Sequence, residues 1–136
     1  MRRLLLALIP VLVATACLGS DFADSIHGSW ILESGTVDGD PIEVTASHPV
    51  TLELGEDSIR GTAACNGYQG LYRVSGSEFE IVDGLAVTEM ACIPDEIMTT
   101  ERRYLDALLA ANRVSLDDGK LVLSGAGSEL VYRAAS

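Results

Sequence analysis

Residues 61–72 read Gly-Thr-Ala-Ala-Cys-Asn-Gly-Tyr-Gln-Gly-Leu-Tyr and form the centre of the predicted sheet. Asn66-Gly67 is a strong β-hairpin signal, because a type I′ turn requires positive φ angles at both of its central residues. The runs 58–65 and 68–74 on either side have the composition of pairing strands. The sequence therefore predicts a hairpin that turns at Asn66 and Gly67, with Cys65 beside the turn.

Most of the remaining chain also has the pattern of β-strands. Val50, Leu52 and Leu54 alternate with polar residues, which is typical of a half-buried strand. Gly61 and Gly70 lie inside the hairpin strands, where glycine indicates curvature or a close approach of two backbones. Further strands are predicted at residues 29–33, 42–44, 78–81, 114–116, 120–124 and 129–133.

Residues 94–113 break this pattern and predict one amphipathic helix. Pro94 suits the first helical position, Asp95 and Glu96 the positive end of the helix dipole, and Arg113 its negative end. The apolar stripe consists of Ile97, Met98, Tyr104, Leu105, Leu108 and Leu109. About eight antiparallel strands and one helix predict an α+β fold, in which a curled sheet closes into a small barrel with the helix packed against it.

Residues 1–16 have the features of a secretion signal, with Arg2 and Arg3 ahead of a short apolar run and small residues. The sequence Val-Ala-Thr-Ala-Cys that ends at Cys17 resembles the bacterial lipobox, in which this cysteine is acylated, for instance with palmitate. We therefore expect a lipoprotein signal peptide (1–16), a tether (17–24) and one domain (25–134). The alternative is an ordinary signal peptide cleaved near Ala16 or Ser20.

The chain contains three cysteines, an odd number for an exported protein. If Cys17 carries lipid, Cys65 and Cys92 remain as a pair in an oxidising compartment and are expected to form a disulfide. Closing that loop would stabilise the fold by roughly 3.5 kcal/mol on the chain-entropy model. The alternative reading is two buried thiols.

Charge and residue types exclude several functions. The formal net charge of −11 becomes two units more negative when the signal peptide removes Arg2 and Arg3, which argues against nucleic-acid binding. His27 and His48 lie in predicted loops without further metal ligands at suitable spacing. Glu89 and Glu101 near the disulfide motif resemble paired carboxylates for acid-base chemistry, but Glu101 lies one turn before Leu105 and is expected to act as a helix cap or local pair. We therefore predict no catalytic residue, no metal and no cofactor.

Several motifs together resemble the META domain, the family that includes the bacterial heat-shock protein HslJ. They are Gly-Thr-x-x-Cys-Asn-Gly-Tyr-x-Gly-x-Tyr at 61–72, Thr-Glu-Met-Ala-Cys at 88–92, Glu101 with Tyr104-Leu105, Trp30-Ile31-Leu32, and Lys-Leu-Val-Leu at 120–123. The resemblance covers residues 25–134. It implies a curled antiparallel sheet with a packed helix, and no established catalytic residue is carried over from the family.

On this basis we expect a non-enzymatic, monomeric lipoprotein of the cell envelope, held in the cell membrane or outer membrane through Cys17. Its role would be stress tolerance through binding an envelope protein or a small molecule. The expected contact is the barrel mouth around Asn66, Gly67, Tyr68 and the Cys92 loop. The alternative is a carrier, similar to a secretin pilot, that binds a lipid or a hydrophobic peptide.

Replacing Cys17 with serine tests the anchor. The Cys17→Ser protein should move from the membrane fraction to the soluble exported fraction, because a mature lipoprotein needs its acyl chains to stay bound. Fractionation and immunoblotting of the two proteins measure this. A Cys17→Ser protein that still sediments with membranes contradicts the lipid anchor.

Overall fold

The computed structural model describes residues 10–12 and 18–135 of this 136-residue chain. The predicted acylation site, Cys17, and most of the predicted signal peptide lie outside the described residues. No helix among the described residues is long and apolar enough to cross a membrane. The elements are α1 (Leu18–Ser25), β1 (Gly28–Val37), β2 (Asp40–Pro41), β3 (Thr51–Leu54), β4 (Ser58–Ala63), β5 (Asn66–Ser75), β6 (Glu78–Val87), α2 (Asp95–Ala110), β7 (Ala111–Asp117), β8 (Lys120–Gly125) and β9 (Ser128–Ala134).

Eight of these strands form a closed antiparallel barrel, which confirms the predicted fold class. Their order is β1-β3-β4-β5-β6-β7-β8-β9, and pairing between β9 and β1 closes the ring. The short strand β2 pairs only with the end of β1. Consecutive strands are mostly neighbours, so short hairpin connections build most of the barrel.

The central hairpin exists, but the predicted turn at Asn66-Gly67 is wrong. Ala63 pairs with Asn66, so the two residues of the loop are Ala64 and Cys65. Ala64 has a φ of 69°, and the Cys65 N–H donates to the Ala63 carbonyl at 2.8 Å. Asn66 is instead the first residue of β5, and its side chain is buried and hydrogen-bonded within the protein.

Gly61 and Gly70, inside the two hairpin strands, lie close to neighbouring backbone, as predicted. A Cβ at Gly61 would clash with the carbonyl of Thr51 and would lie 2.6 Å from the Tyr68 hydroxyl. At Gly70 it would lie 2.9 Å from the carbonyl oxygen of Gly84. The barrel wall can curve this tightly because glycine occupies both positions.

Other predicted boundaries shift. Residues 42–44 form no strand, since the return after β1 is made by β2 and the Ile42 N–H bonds the Gly35 carbonyl. Residues 18–24 of the predicted tether belong to helix α1, which ends at Ser25. Arg113 lies in β7 and not at a helix end, because the chain is already extended at Ala111, with φ −64° and ψ 131°. Asp95 and Glu96 do occupy the first turn of α2.

The two helices lie at opposite ends of the barrel. Near α1, β1 begins at Gly28, which pairs with Leu54, and Ile26 is fully buried there. At the other end, where β4 meets β5, α2 buries one face against the strands. This face consists of Ile97, Thr100, Glu101, Tyr104, Ala107 and Leu108. We call this second end the α2 end.

One seam of the barrel is incomplete. Strands β6 and β7 share a single paired position, Glu78 with Arg113, and the Val114 N–H adds a bond to the Ser77 carbonyl. Beyond this point β6 bends away at a bulge, where Asp83 and Gly84 both have positive φ. Strand β6 continues to pair with β5 as far as Val87.

Candidate functional site

The α2 end contains the only disulfide seen in the described residues. Cys65 in the hairpin loop is bonded to Cys92, 27 positions later, with Cα atoms 6.0 Å apart. This confirms the expected pairing and excludes two free thiols. The bond attaches the connection between β6 and α2 to the tip of the central hairpin.

Asn66 lies beside the disulfide and is 2% exposed. Its side-chain nitrogen donates to Glu101 Oε2 at 2.7 Å and to the Met90 carbonyl at 3.0 Å. Its side-chain oxygen accepts from the Thr88 hydroxyl at 2.9 Å and from the Met90 N–H at 2.6 Å. Two donors and two acceptors are the whole capacity of an amide side chain. Asn66 therefore joins the hairpin, the segment after β6 and helix α2.

Glu101 is the partner of Asn66 on α2, and its predicted role as a local cap is wrong. The side chain is 6% exposed and accepts from the Asn66 backbone N–H at 2.5 Å as well as from its side chain. No basic side chain of the described residues forms a salt bridge with this carboxylate. Both oxygens accept from N–H donors, which is the role of an ionised carboxylate. We refer to Asn66, Thr88, Met90 and Glu101 as the Asn66 cluster.

Three tyrosines fill the barrel beneath this cluster. The Tyr104 hydroxyl on α2 lies 2.8 Å from that of Tyr68 and 3.0 Å from that of Tyr132. The Tyr68 hydroxyl also bonds the Thr51 carbonyl at 2.7 Å. Burial is the main cause that raises the pKa of all three tyrosines well above the usual value. Helix α2 thus places a side chain on the barrel axis, and the lumen is packed.

The predicted contact residues are therefore mostly internal. Asn66 and Tyr68 are buried, and their polar atoms are bonded inside the protein. Gly67 is half-buried and lines a surface cleft of about 550 Å³ between β3 and β6, where its N–H donates to Thr88 Oγ1 at 3.1 Å. Ligand contact at these three residues remains a prediction.

A second surface feature had no signal in the sequence. A groove of about 350 Å³ runs between the end of β6 and the outer side of α2. It is lined by Leu85, Val87, Met98, Glu101, Arg102, Leu105, Asp106 and Leu109. Nearby, Met90 is 57% and Ile93 86% exposed. The groove exists because β6 and β7 separate, and the periodicity of single strands does not predict such a separation.

Among the described residues, neither histidine belongs to a group of three metal-ligating side chains. His27 Nδ1 lies 3.9 Å from the Asp24 carboxylate, and His48 Nδ1 lies 3.2 Å from the Ser47 hydroxyl. In residues 10–12 and 18–135, no three His, Cys, Asp or Glu side chains are grouped closely enough to hold a metal ion.

Replacing Glu101 with glutamine tests the Asn66 cluster. The glutamine amide would direct a donor at one of the two Asn66 N–H groups, so we expect the free energy of unfolding to fall by about 2 kcal/mol. Urea denaturation with the disulfide intact measures it. Glu96→Gln, on the same helix but exposed, is the matched control and should change stability by about 0.5 kcal/mol or less. Equal effects of the two substitutions would contradict the assigned role.

The buried tyrosines predict alkaline unfolding. Their folded pKa values are raised, so their stabilising contribution is complete below the unfolded pKa of about 10 and is lost as pH rises above it. Tyrosinate absorbance from these three side chains should therefore appear together with the loss of circular dichroism. Tyr104→Phe should weaken this pH dependence. Ionisation of all the tyrosines near pH 10 in a folded protein would contradict the prediction.

Known proteins were found that share the sequence pattern or the barrel fold of this chain. A family model described as META domain matches residues 23–136. An NMR structure of a protein from Burkholderia xenovorans is similar over 94% of this chain and 99% of its own, with 23% identity and a TM-score of 0.70. A second NMR structure, covering 79% of this chain and 88% of its own, has 28% identity and a TM-score of 0.60.

A crystal structure of a DUF4847 family protein from Bacteroides vulgatus is similar over 79% of this chain and 92% of its own, with 12% identity and a TM-score of 0.58. At this identity the likeness concerns the fold alone. No curated protein matches the sequence. The family model spans most of the chain, including the Asn66 cluster, both cysteines of the disulfide and the whole barrel. The chain therefore belongs to the META domain family.

Proposed function

We propose that this META domain protein is a non-enzymatic lipoprotein of the cell envelope that serves stress tolerance by binding a protein or small molecule at its α2 end. The observation that carries the proposal is the distribution of polar and apolar groups there. The polar atoms of the Asn66 cluster are bonded to one another. The apolar side chains of Val87, Met90, Ile93 and Leu109, in contrast, are exposed.

The same distribution argues against catalysis. An active site needs titratable groups that converge in a pocket and are free to act on a substrate. Glu101 is the buried carboxylate of this end, and both of its oxygens are occupied by Asn66. The buried tyrosine hydroxyls are bonded to one another and to the Thr51 carbonyl. These groups serve the fold, whereas exposed apolar side chains serve contacts with a partner.

The position of the proposed anchor fits this use of the α2 end. The chain enters the barrel through α1, whose end is marked by the Gly28–Leu54 pair. Asn66 and α2 lie at the opposite end. Acylation at Cys17, just before α1, would hold the α1 end near the lipid surface and leave the α2 end pointing away from it. A partner in the envelope space would then meet the exposed apolar groups first.

The alternative function is a carrier of a lipid or hydrophobic peptide. An enclosed ligand would compete for the space that Tyr68, Tyr104 and Tyr132 occupy, so the packed lumen argues against it. The apolar groove between β6 and α2 is the feature that favours a carrier. Mass spectrometry of the purified protein separates the two functions, because a carrier retains stoichiometric lipid.

Hydrogen exchange tests the proposed binding. Adding a cell-envelope extract to the purified protein should slow exchange in residues 85–94 and near Leu109. Ile93→Ser should abolish this protection, because it removes the most exposed apolar group of the α2 end. Leu71→Ser is the matched control, since Leu71 is also exposed but lies on β5, where it pairs with Ser58 and Val82, away from that end.

Protection confined to the acidic strand faces, or equal loss of protection in both variants, would contradict binding at the α2 end. Turnover of a substrate that is lost on replacing His27 or His48 would contradict the non-enzymatic function.

A further inference from the structure

Strand β6 has an edge that no other described strand covers. It pairs with β5 along its length, from Glu78 opposite Ser75 to Val87 opposite Tyr68. On its other side, β7 pairs with it only at Glu78. Unpaired strand edges present backbone donors and acceptors to any extended chain, and proteins usually cover or interrupt them. Here the edge remains open at residues 85–87, beside helix α2.

The register identifies the free backbone groups. The Thr88 N–H donates to the Gly67 carbonyl, so Thr88 is in a hydrogen-bonded position opposite β5. Bonded and non-bonded positions alternate along an antiparallel pair. The backbone groups of Leu85 and Val87 therefore point away from β5 and into the seam. Within the described residues, neither N–H donates to a carbonyl outside the sheet ladders.

An apolar surface lies next to the free backbone groups of Leu85 and Val87. Leu85 and Val87 face the interior side of the sheet, as Tyr68 and Gly70 opposite them do. Across the groove, α2 contributes Met98, Leu105 and Leu109, and the space between is about 350 Å³. A strand added to residues 85–87 would direct every second side chain into this groove. Backbone pairing and an apolar groove together specify an extended peptide with alternating apolar residues.

The charges around the edge of β6 indicate which kind of extended peptide would bind there. Exposed acids surround the edge, Asp83 on β6, Glu89 after it and Asp106 on α2, and none of them forms a salt bridge in the described part of the chain. Arg102 is the basic residue that lines the groove. The protein as a whole has 20 acidic and 9 basic residues. A second copy of β6 would place Glu78, Glu80 and Asp83 against the same acids, which disfavours self-pairing.

We propose that residues 85–87 are a docking edge for a basic, extended segment of a partner protein, which adds a strand to β6 and places its apolar side chains against α2. This inference rests on the proposed binding function and specifies its partner. The added strand occupies the seam that β7 leaves open. The interface is small, so binding is weak and reversible, and salt weakens it further by screening the acids.

A synthetic peptide of alternating lysine and valine tests the docking edge on the exported Cys17→Ser protein. NMR titration should shift the amide signals of Leu85 and Val87 downfield and slow their hydrogen exchange, while the amide of Ala86, already facing β5, changes little. Two control peptides define the chemistry. One replaces lysine with glutamate and should not bind. The other carries N-methylated valines, keeps charge and apolarity, and should also lose binding because it lacks strand donors.

On the protein side, Leu105→Lys should abolish peptide binding by filling the groove with a like charge, whereas Leu71→Lys, at an exposed site on β5, should not. Circular dichroism confirms that both variants fold. If Leu105→Lys does not fold, the N-methylated peptide alone decides the question.

Equal binding of the N-methylated and unmodified peptides, or shifts at Met90 and Ile93 without protection of Leu85 and Val87, would overturn strand addition but leave the proposed binding function standing. A dimer that forms through β6 in sedimentation experiments would overturn the choice of a basic partner. Absence of any envelope footprint at the α2 end would instead refute the proposed function itself.

Discussion

Two hydrogen bonds from Asn66 to the carboxylate of Glu101 hold helix α2 against the central hairpin. A buried carboxylate is costly unless donors satisfy it, and here the backbone and side chain of one residue supply both. The carboxylate therefore fixes where α2 lies relative to β5. The Cys65–Cys92 disulfide begins one residue away and fastens the chain that leads into the same helix. Covalent and polar constraints thus act on one small region.

The position of α2 determines what fills the end of the barrel that it covers. With Glu101 bonded to Asn66, Tyr104 one turn later on α2 extends into the barrel. Its hydroxyl forms hydrogen bonds with the hydroxyls of Tyr68 and Tyr132. The lumen around these three tyrosines is then packed. The same helix also stands beside the seam where β6 and β7 separate, which creates the groove at the α2 end. The position of α2 therefore fills the interior and forms one wall of the groove.

Alternation of apolar residues predicted the barrel strands, although it added a false strand at 42–44 and found only the first part of β6. The stripe from Ile97 to Leu109 predicted α2, but the predicted helix overran its end at Ala110. The disulfide was predicted from the three cysteines, because acylation of Cys17 leaves Cys65 and Cys92 as a pair. The sequence did not reveal that Asn66 leaves the turn and enters a strand, because local turn propensity is overridden by bonds to Glu101, 35 residues away. Glu101 itself resembles an ordinary helical acid. The open seam also escaped prediction, since it depends on a bulge at Asp83 and Gly84 that changes how two distant strands meet.

A double-mutant cycle between Asn66 and Glu101 measures the central interaction most directly. The free energies of unfolding of Asn66→Ala, Glu101→Ala and the double variant, each with the disulfide intact, give the coupling energy of the side-chain bond, since Asn66→Ala keeps the backbone N–H that donates to Glu101 Oε1. If these two residues hold the helix to the hairpin, the coupling is about 2 kcal/mol, and the parallel cycle of Asn66 with exposed Glu96 gives a value near zero. A coupling below about 0.5 kcal/mol between Asn66 and Glu101 would contradict this account.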